Sequence, residues 1–255
     1  MKALTAFSII VLLMILIPSF ADSSEERSNI FLEANQAYNK GDYNRAISLY
    51  EKLLEQNLRN GLIYYNLGNC YYRTGEIGKA ILSYRRSELY NPRDEDLKAN
   101  LNYARKNTRD KINTGNPKIL ESIFFWYYNL NCKELFILFL ILNGLFWSLA
   151  AFRLFKPSAL LRTIVLVLLF TAILTGISAA SKVYALKSLR SGVLISKEIS
   201  VRSGNGINNP AIFKLHEGAE FKILDNSDGW LKIKLPHNSS EMKGWVEKKF
   251  VGIVD

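Results

Sequence analysis

Histidine and cysteine are nearly absent from this 255-residue chain, at two each, and the scarcity removes whole classes of chemistry. His216 and His237 have no Cys or His at metal-ligand spacing, and no nucleophile elbow or Cys/His pair is visible. Gly204-Asn-Gly206 lacks a following glycine and helix, so it is no phosphate loop. The sequence therefore predicts no metal, no cofactor, no catalytic residue and no enzyme. Cys70 falls in a patterned helix and Cys132 just before a long apolar run, too separate to pair even where export would allow oxidation. Charge is missing too: Leu135–Phe152 and Thr163–Ser181 contain no Asp, Glu, Lys, Arg or His. An ion pathway or proton relay through these runs would have no residues to use.

What is present begins with those runs. LFILFLILNGLFWSLAAF has no polar face, and its length suits a bilayer span. Its Leu, Ile and Phe side chains favour insertion by roughly 5 kcal/mol in sum. A loop carrying Arg153, Lys156, Pro157 and Arg162 joins it to TIVLVLLFTAILTGISAAS, predicting a transmembrane hairpin over 133–184 with spans at 135–155 and 163–183. The net charge of +10 divides unevenly along the chain. Asp22–Lys111 holds 15 basic and 13 acidic residues, Ile112–Leu189 holds 7 and 2, and Arg190–Asp255 holds 10 and 8. The excess lies beside the apolar runs, where basic flanks are ordinary, so nucleic acid is discounted as a partner. At the N-terminus, Lys2, an apolar Ala3–Ile17, Pro18 and Ser19-Phe20-Ala21 predict a signal peptide over 1–21 cleaved before Asp22; an uncleaved anchor is the alternative. On either reading the next segment is exported, the 153–162 loop is cytoplasmic, and the C-terminal segment returns outside. The expected address is therefore a membrane, with both flanking segments on its non-cytoplasmic side.

Between Asp22 and Lys111 the chain repeats itself. Gly41, Ala46 and Tyr50 recur as Gly75, Ala80 and Tyr84. The second copy, over 61–94, carries Tyr64, Leu67, Gly68, Tyr71, Gly75, Ala80, Tyr84 and Pro92, and this spacing resembles the tetratricopeptide (TPR) repeat. The first copy, over 27–60, has Glu33, Ala34 and Ala37 at three marked positions but keeps Gly-Asp-Tyr at 41–43. A capping helix over 95–107, acidic at its start and basic at its end, completes a domain over 22–110 of about five helices. The resemblance implies a binding groove lined by Phe31, Asn35, Tyr38, Tyr65, Asn66, Asn69, Tyr72 and Arg73. Asn35 and Asn66 stand where carboxylate-clamp TPR domains place asparagines, but the clamp's basic positions are Phe31, Asp96 and Asn100 here. Capture of a peptide carboxylate is thus not implied; an aromatic, amide-rich groove suits an extended or helical peptide. The same residues could equally just pack.

Residues 111–132 read as a linker ending in an aromatic segment. Trp126, Tyr127 and Tyr128 either sit at headgroup level or pack under the helical stack. In the runs, Asn143 either bonds within the hairpin or meets another membrane protein. Ala172, Gly176 and Ala180 form a small-residue stripe that admits a close helix. From Arg190 the pattern alternates. Val193–Ile195, Ile199–Val201, Phe221–Leu224, Trp230–Leu235 and Gly244–Val246 are candidate strands of a small barrel over 190–255. Ser200–Gly204, Phe213–Gly218, Asp228–Ile233 and Lys243–Val246 resemble bacterial SH3 (SH3b) domains, some of which recognise cell-wall peptides. That resemblance implies contacts at Arg202, Asn205, Asn208 and Trp245, although Trp230 and Trp245 could serve packing.

The predicted fold class is multi-domain: an all-α TPR stack, a two-helix transmembrane hairpin and a small all-β SH3-like barrel. This order resembles the TPR proteins of bacterial aerotolerance (Bat) operons. It implies an envelope scaffold in the bacterial inner membrane, its TPR and SH3b domains on the periplasmic side, working with von Willebrand factor A-domain proteins and a MoxR-type ATPase, with binding of peptidoglycan through the SH3b domain as the alternative.

Overall fold

The computed structural model describes residues 25–110, 118–188, 190–236 and 242–255. The predicted signal peptide, the linker at 111–117 and His237 lie outside these described residues.

Five antiparallel helices form the first unit: α1 over 25–39, α2 Tyr43–Glu55, α3 Gly61–Arg73, α4 Ile77–Tyr90 and α5 Glu95–Lys106. Their ends follow from local chemistry. Gly41 and Gly75 adopt φ of +80° and +81°, the left-handed conformation that terminates α1 and α3 without a Cβ penalty. Asp42, Asn60 and Asp94 then accept from the backbone N–H of Arg45, Ile63 and Leu97, capping α2, α3 and α5. Between the helices, Ala34, Ala46, Tyr50, Leu53, Ile63, Ala80, Ile81, Leu97 and Ala104 are wholly buried.

Two long helices follow, α8 Cys132–Phe155 and α9 Ala159–Ser188, after the short α6 Lys118–Ile123 and α7 Phe125–Asn129. Both long helices are long and apolar enough to cross a membrane, and most of their side chains face outward. Hydroxyl side chains of α9 bond within the helix: Thr171, Thr175 and Ser178 donate to the carbonyls of Val167, Thr171 and Leu174 at 2.8–3.0 Å. Helix α9 outruns its uncharged stretch because Lys182 donates to the Tyr127 and Leu130 carbonyls at 2.7 and 2.6 Å. With Trp126 Nε1 donating to Ser178 at 3.2 Å, those bonds pin α7 to the end of α9. The aromatic segment therefore packs on the hairpin and leaves Phe124 and Phe125 exposed.

The remaining chain is one antiparallel sheet of order β3-β2-β6-β5-β4-β1-β7. Its strands are β1 Ser191–Leu194, β2 Glu198–Arg202, β3 Ala211–His216, β4 Glu220–Ser227, β5 Trp230–Lys234, β6 Lys243–Glu247 and β7 Val251–Val254. Alternation sets its core: Leu231 and Ile233 are buried, while Trp230, Lys232 and Lys234 are not. Strands β3 and β7 go beyond the five candidate strands. β3 buries only Leu215, and β7 is four residues long, so neither carries a clear period-two signal.

Both folded units sit at one end of the hairpin. Asn131, the cap of α8, donates to the Tyr90 carbonyl at 2.9 Å, and Arg93 pairs with Glu134 at 2.5 Å. The sheet docks directly on α4. A Cβ on Gly78 would come within 2.3 Å of the Leu194 carbonyl, and one on Gly252 within 2.2 Å of Leu82. Glu220, 7% exposed, receives Arg105 through Nε at 2.6 Å and Nη2 at 2.9 Å, with Arg85 Nε 3.2 Å away. His216 adds a second link, its backbone N–H donating to Asp110 at 2.6 Å. The α5 terminus is thus a docking edge rather than a solvent cap.

Candidate functional site

The face of the helical stack away from the sheet carries a groove of about 460 Å3 lined by Tyr38, Tyr65, Asn69, Tyr72, Arg73, Tyr84, Asn100 and Tyr103. Asn69, Tyr84 and Asn100 in its lining form the second copy of a repeated hydrogen-bond unit. Asn35 Oδ1 accepts from the Tyr50 hydroxyl at 2.5 Å and from Asn66 Nδ2 at 3.1 Å. One repeat later, Asn69 Oδ1 accepts from the Tyr84 hydroxyl at 2.8 Å and from Asn100 Nδ2 at 3.1 Å. Each asparagine pair is thereby stapled across three helices by a buried tyrosine, and a satisfied buried network of this kind fixes geometry. Asn100 also donates to Tyr65 at 3.0 Å, and Asn107 to Tyr72 at 2.8 Å. The Tyr72 and Tyr103 rings lie 5.6 Å apart.

Of the eight groove positions read from the sequence, Tyr38, Tyr65, Asn69, Tyr72 and Arg73 line this cavity. Asn35 and Asn66 are not among its lining residues; they bond to each other and to Tyr50 in the first repeat. Phe31 lies elsewhere, beside a shallow pocket with Leu58 and Leu62. Tyr84, Asn100 and Tyr103 join the groove although the sequence reading did not assign them to it. Arg73 is the one cation among its described lining residues, and the hydrogen bond it donates to Tyr38 raises its pKa further. The arrangement offers exposed aromatic faces, amides and one guanidinium, which suits a peptide backbone and large side chains.

Burial pushes the Tyr50 hydroxyl up to about 12 and raises Tyr71 and Tyr84 as well. These phenols are neutral in the fold, so their contribution is fully present below the ordinary tyrosine value of about 10 and is lost as pH rises through the raised values. Tyrosinate absorbance should therefore show a group that titrates only together with helix loss in strong alkali; stepwise titration with helicity intact would contradict this. Burial likewise pushes the Cys70 thiol up to about 12. In a Cys132→Ser variant, maleimide should modify Cys70 only on unfolding, and rapid labelling of the folded chain would overturn that placement.

On the sheet, Arg202 pairs with Trp245 across β2 and β6 and donates to the Asn209 carbonyl at 2.6 Å. Lys232 stands 5.8 Å over the Trp245 ring. Asn205 and Asn208 are exposed on the adjoining loop, next to Ile207 at 66% exposure. Arg202, Trp245 and this loop therefore share one edge, away from the docked strands β1 and β7. Trp230 is half-buried at the start of β5. Within the hairpin, Ala172 is buried and Gly176 lies against Phe139, while Ala180 is exposed. The packed stripe of α9 runs instead through Val165, Ala172, Thr175 and Ser178. Asn143 is half-buried and makes no hydrogen bond among the described residues.

With this geometry in place, residues 31–94 match the family model of the tetratricopeptide repeat, and residues 197–252 match that of the bacterial SH3 domain. The chain carries both domains. A comparison with curated proteins found no match. The TPR region points to protein–protein interaction and the bacterial SH3 domain to cell-wall binding, and domains of both kinds are typically non-catalytic.

Proposed function

We propose that this chain is a membrane-anchored envelope scaffold whose TPR groove holds a protein partner. The observation that carries the reading is the Tyr65–Tyr72–Tyr103 surface, kept open on one side of the stack while the SH3 domain covers the other. Helices α8 and α9 serve as two spans, leaving the TPR and SH3 domains together outside the cytoplasm. The order of domains supports a place in a Bat-type assembly with von Willebrand factor A-domain proteins and a MoxR-type ATPase. A photo-crosslinking residue at Tyr103 should give a discrete protein adduct in membranes, absent from a Leu224 control. Tyr72→Ala with Tyr65→Ala should abolish that adduct at unchanged helicity. Adducts indifferent to those changes would sink the groove reading.

A second reading draws on the half-buried Arg202–Trp245 pair and the exposed loop of Asn205 and Asn208 beside it. Peptidoglycan recognition there would add wall attachment to the scaffold. Arg202→Ala with Trp245→Ala should then reduce sedimentation with purified peptidoglycan while preserving the Tyr103 adduct.

A further inference from the structure

Where the hairpin meets the folded domains, a cavity of about 600 Å3 opens among the ends of α4, α8, α9 and β7. Leu186, Ile253 and Val254 give it apolar walls, and the exposed Lys133, Lys187 and Arg190 stand around it. One carboxylate lines it, Asp255, whose Oδ1 already accepts from Arg86 at 2.8 Å. Nearby Glu134 is likewise engaged, by Arg93 at 2.5 Å and by the Asn131 backbone N–H at 2.8 Å. Among the described residues no carboxylate pairs with any of the three cations.

We propose that this cavity seats the headgroup of an anionic phospholipid, with its acyl chain lying along the exposed apolar faces of α8 and α9. The inference rests on the reading of those helices as membrane spans. Three arguments place a lipid here. The cavity lies where α8 begins and α9 ends, which is headgroup depth for helices of this length. Its cations surround an apolar wall, the two-part chemistry that a phosphate on a hydrocarbon tail requires and a free phosphate does not. Leu140, Ile173 and Ile177, all more than half exposed, continue the apolar surface away from it. Lys182 is not part of the site, since two carbonyls already hold its ammonium.

The test uses the full chain purified in detergent and exposed to equimolar phosphatidylglycerol and phosphatidylcholine, with retained lipid counted by native mass spectrometry. The wild type should retain phosphatidylglycerol preferentially, and Lys133→Gln/Lys187→Gln/Arg190→Gln should lower that retention about tenfold or more. Leu186→Trp, which fills the cavity and leaves the cations, should reduce retention independently. Equal retention of the two lipids would overturn the proposal, as would either variant retaining phosphatidylglycerol like wild type. Inorganic phosphate displacing the lipid completely would also overturn it, by showing a simple anion site. Alkaline carbonate extraction of membranes separates the two readings. A chain released by carbonate contradicts the spans themselves, whereas a retained chain without lipid preference contradicts only the headgroup site.

Discussion

Glu220→Ala should detach the SH3 domain from the TPR stack. The carboxylate is 7% exposed and is the shared partner of Arg105 and Arg85. Removing one member of a buried pair leaves the other charge desolvated and uncompensated, at a cost of about 3–5 kcal/mol; that charge is Arg105, because Arg85 keeps its pair with Glu88. Arg105 would then regain solvent most readily by opening the interface, because neither domain's own core involves it. Hydrogen exchange should rise in β1, β7 and α4 of the variant, and a single thermal transition should split in two. A second route reaches the same end without touching charge. Gly78→Val sets a side chain against the Leu194 carbonyl, and backbone cannot move aside as a flexible side chain can. Two variants with different chemistry and one outcome would establish docking. If Glu220→Ala keeps one cooperative transition at an unchanged midpoint, the domains are not coupled through this pair.

Gly68→Leu should disrupt the TPR stack itself. Gly68 is buried in the middle of α3, where glycine costs about 1 kcal/mol relative to alanine. What it permits is contact: a Cβ there would lie 2.6 Å from two atoms of the Tyr84 ring. That ring cannot swing away freely, because its hydroxyl donates to Asn69 in the groove lining. Overpacking of this kind costs about 1–3 kcal/mol, and loss of the Asn69 bond adds about 1 kcal/mol. Less the roughly 1 kcal/mol that replacing glycine returns, the net loss of about 1–3 kcal/mol should lower the melting midpoint by roughly 4–24 °C for a small domain. Groove adducts at Tyr103 should weaken in parallel. A variant as stable as wild type would contradict the close approach of α3 and α4.

The repeat was legible because its punctuation is local. Gly41 and Gly75 mark helix ends by backbone conformation alone, and Ala80 and Tyr84 mark packing positions by size. The apolar helices were legible because nothing charged interrupts their centres. The asparagine network was missed although its signal existed. Asn35, Tyr50 and Asn66 recur 34 residues later as Asn69, Tyr84 and Asn100, but the bonds cross three helices, and spacing within any one helix does not reveal them. The docked interface left less trace still. Arg105 and Glu220 are 115 positions apart, and each reads alone as an ordinary surface charge. Only the fold brings them together. Strand β7 escaped for a related reason, since its Gly252 packs against Leu82 on another domain.

The central claim is that the TPR and SH3 domains form one body on one side of the membrane, held there by the hairpin. Labelling of intact cells by a membrane-impermeant maleimide tests it most directly. In a Cys70→Ser/Cys132→Ser background, single cysteines would replace the exposed Leu62, Leu224 and Pro157, one in each domain and one between the long helices. The account predicts that positions 62 and 224 label in intact cells and position 157 only after lysis. Labelling of 62 without 224, or of 157 in intact cells, would contradict it.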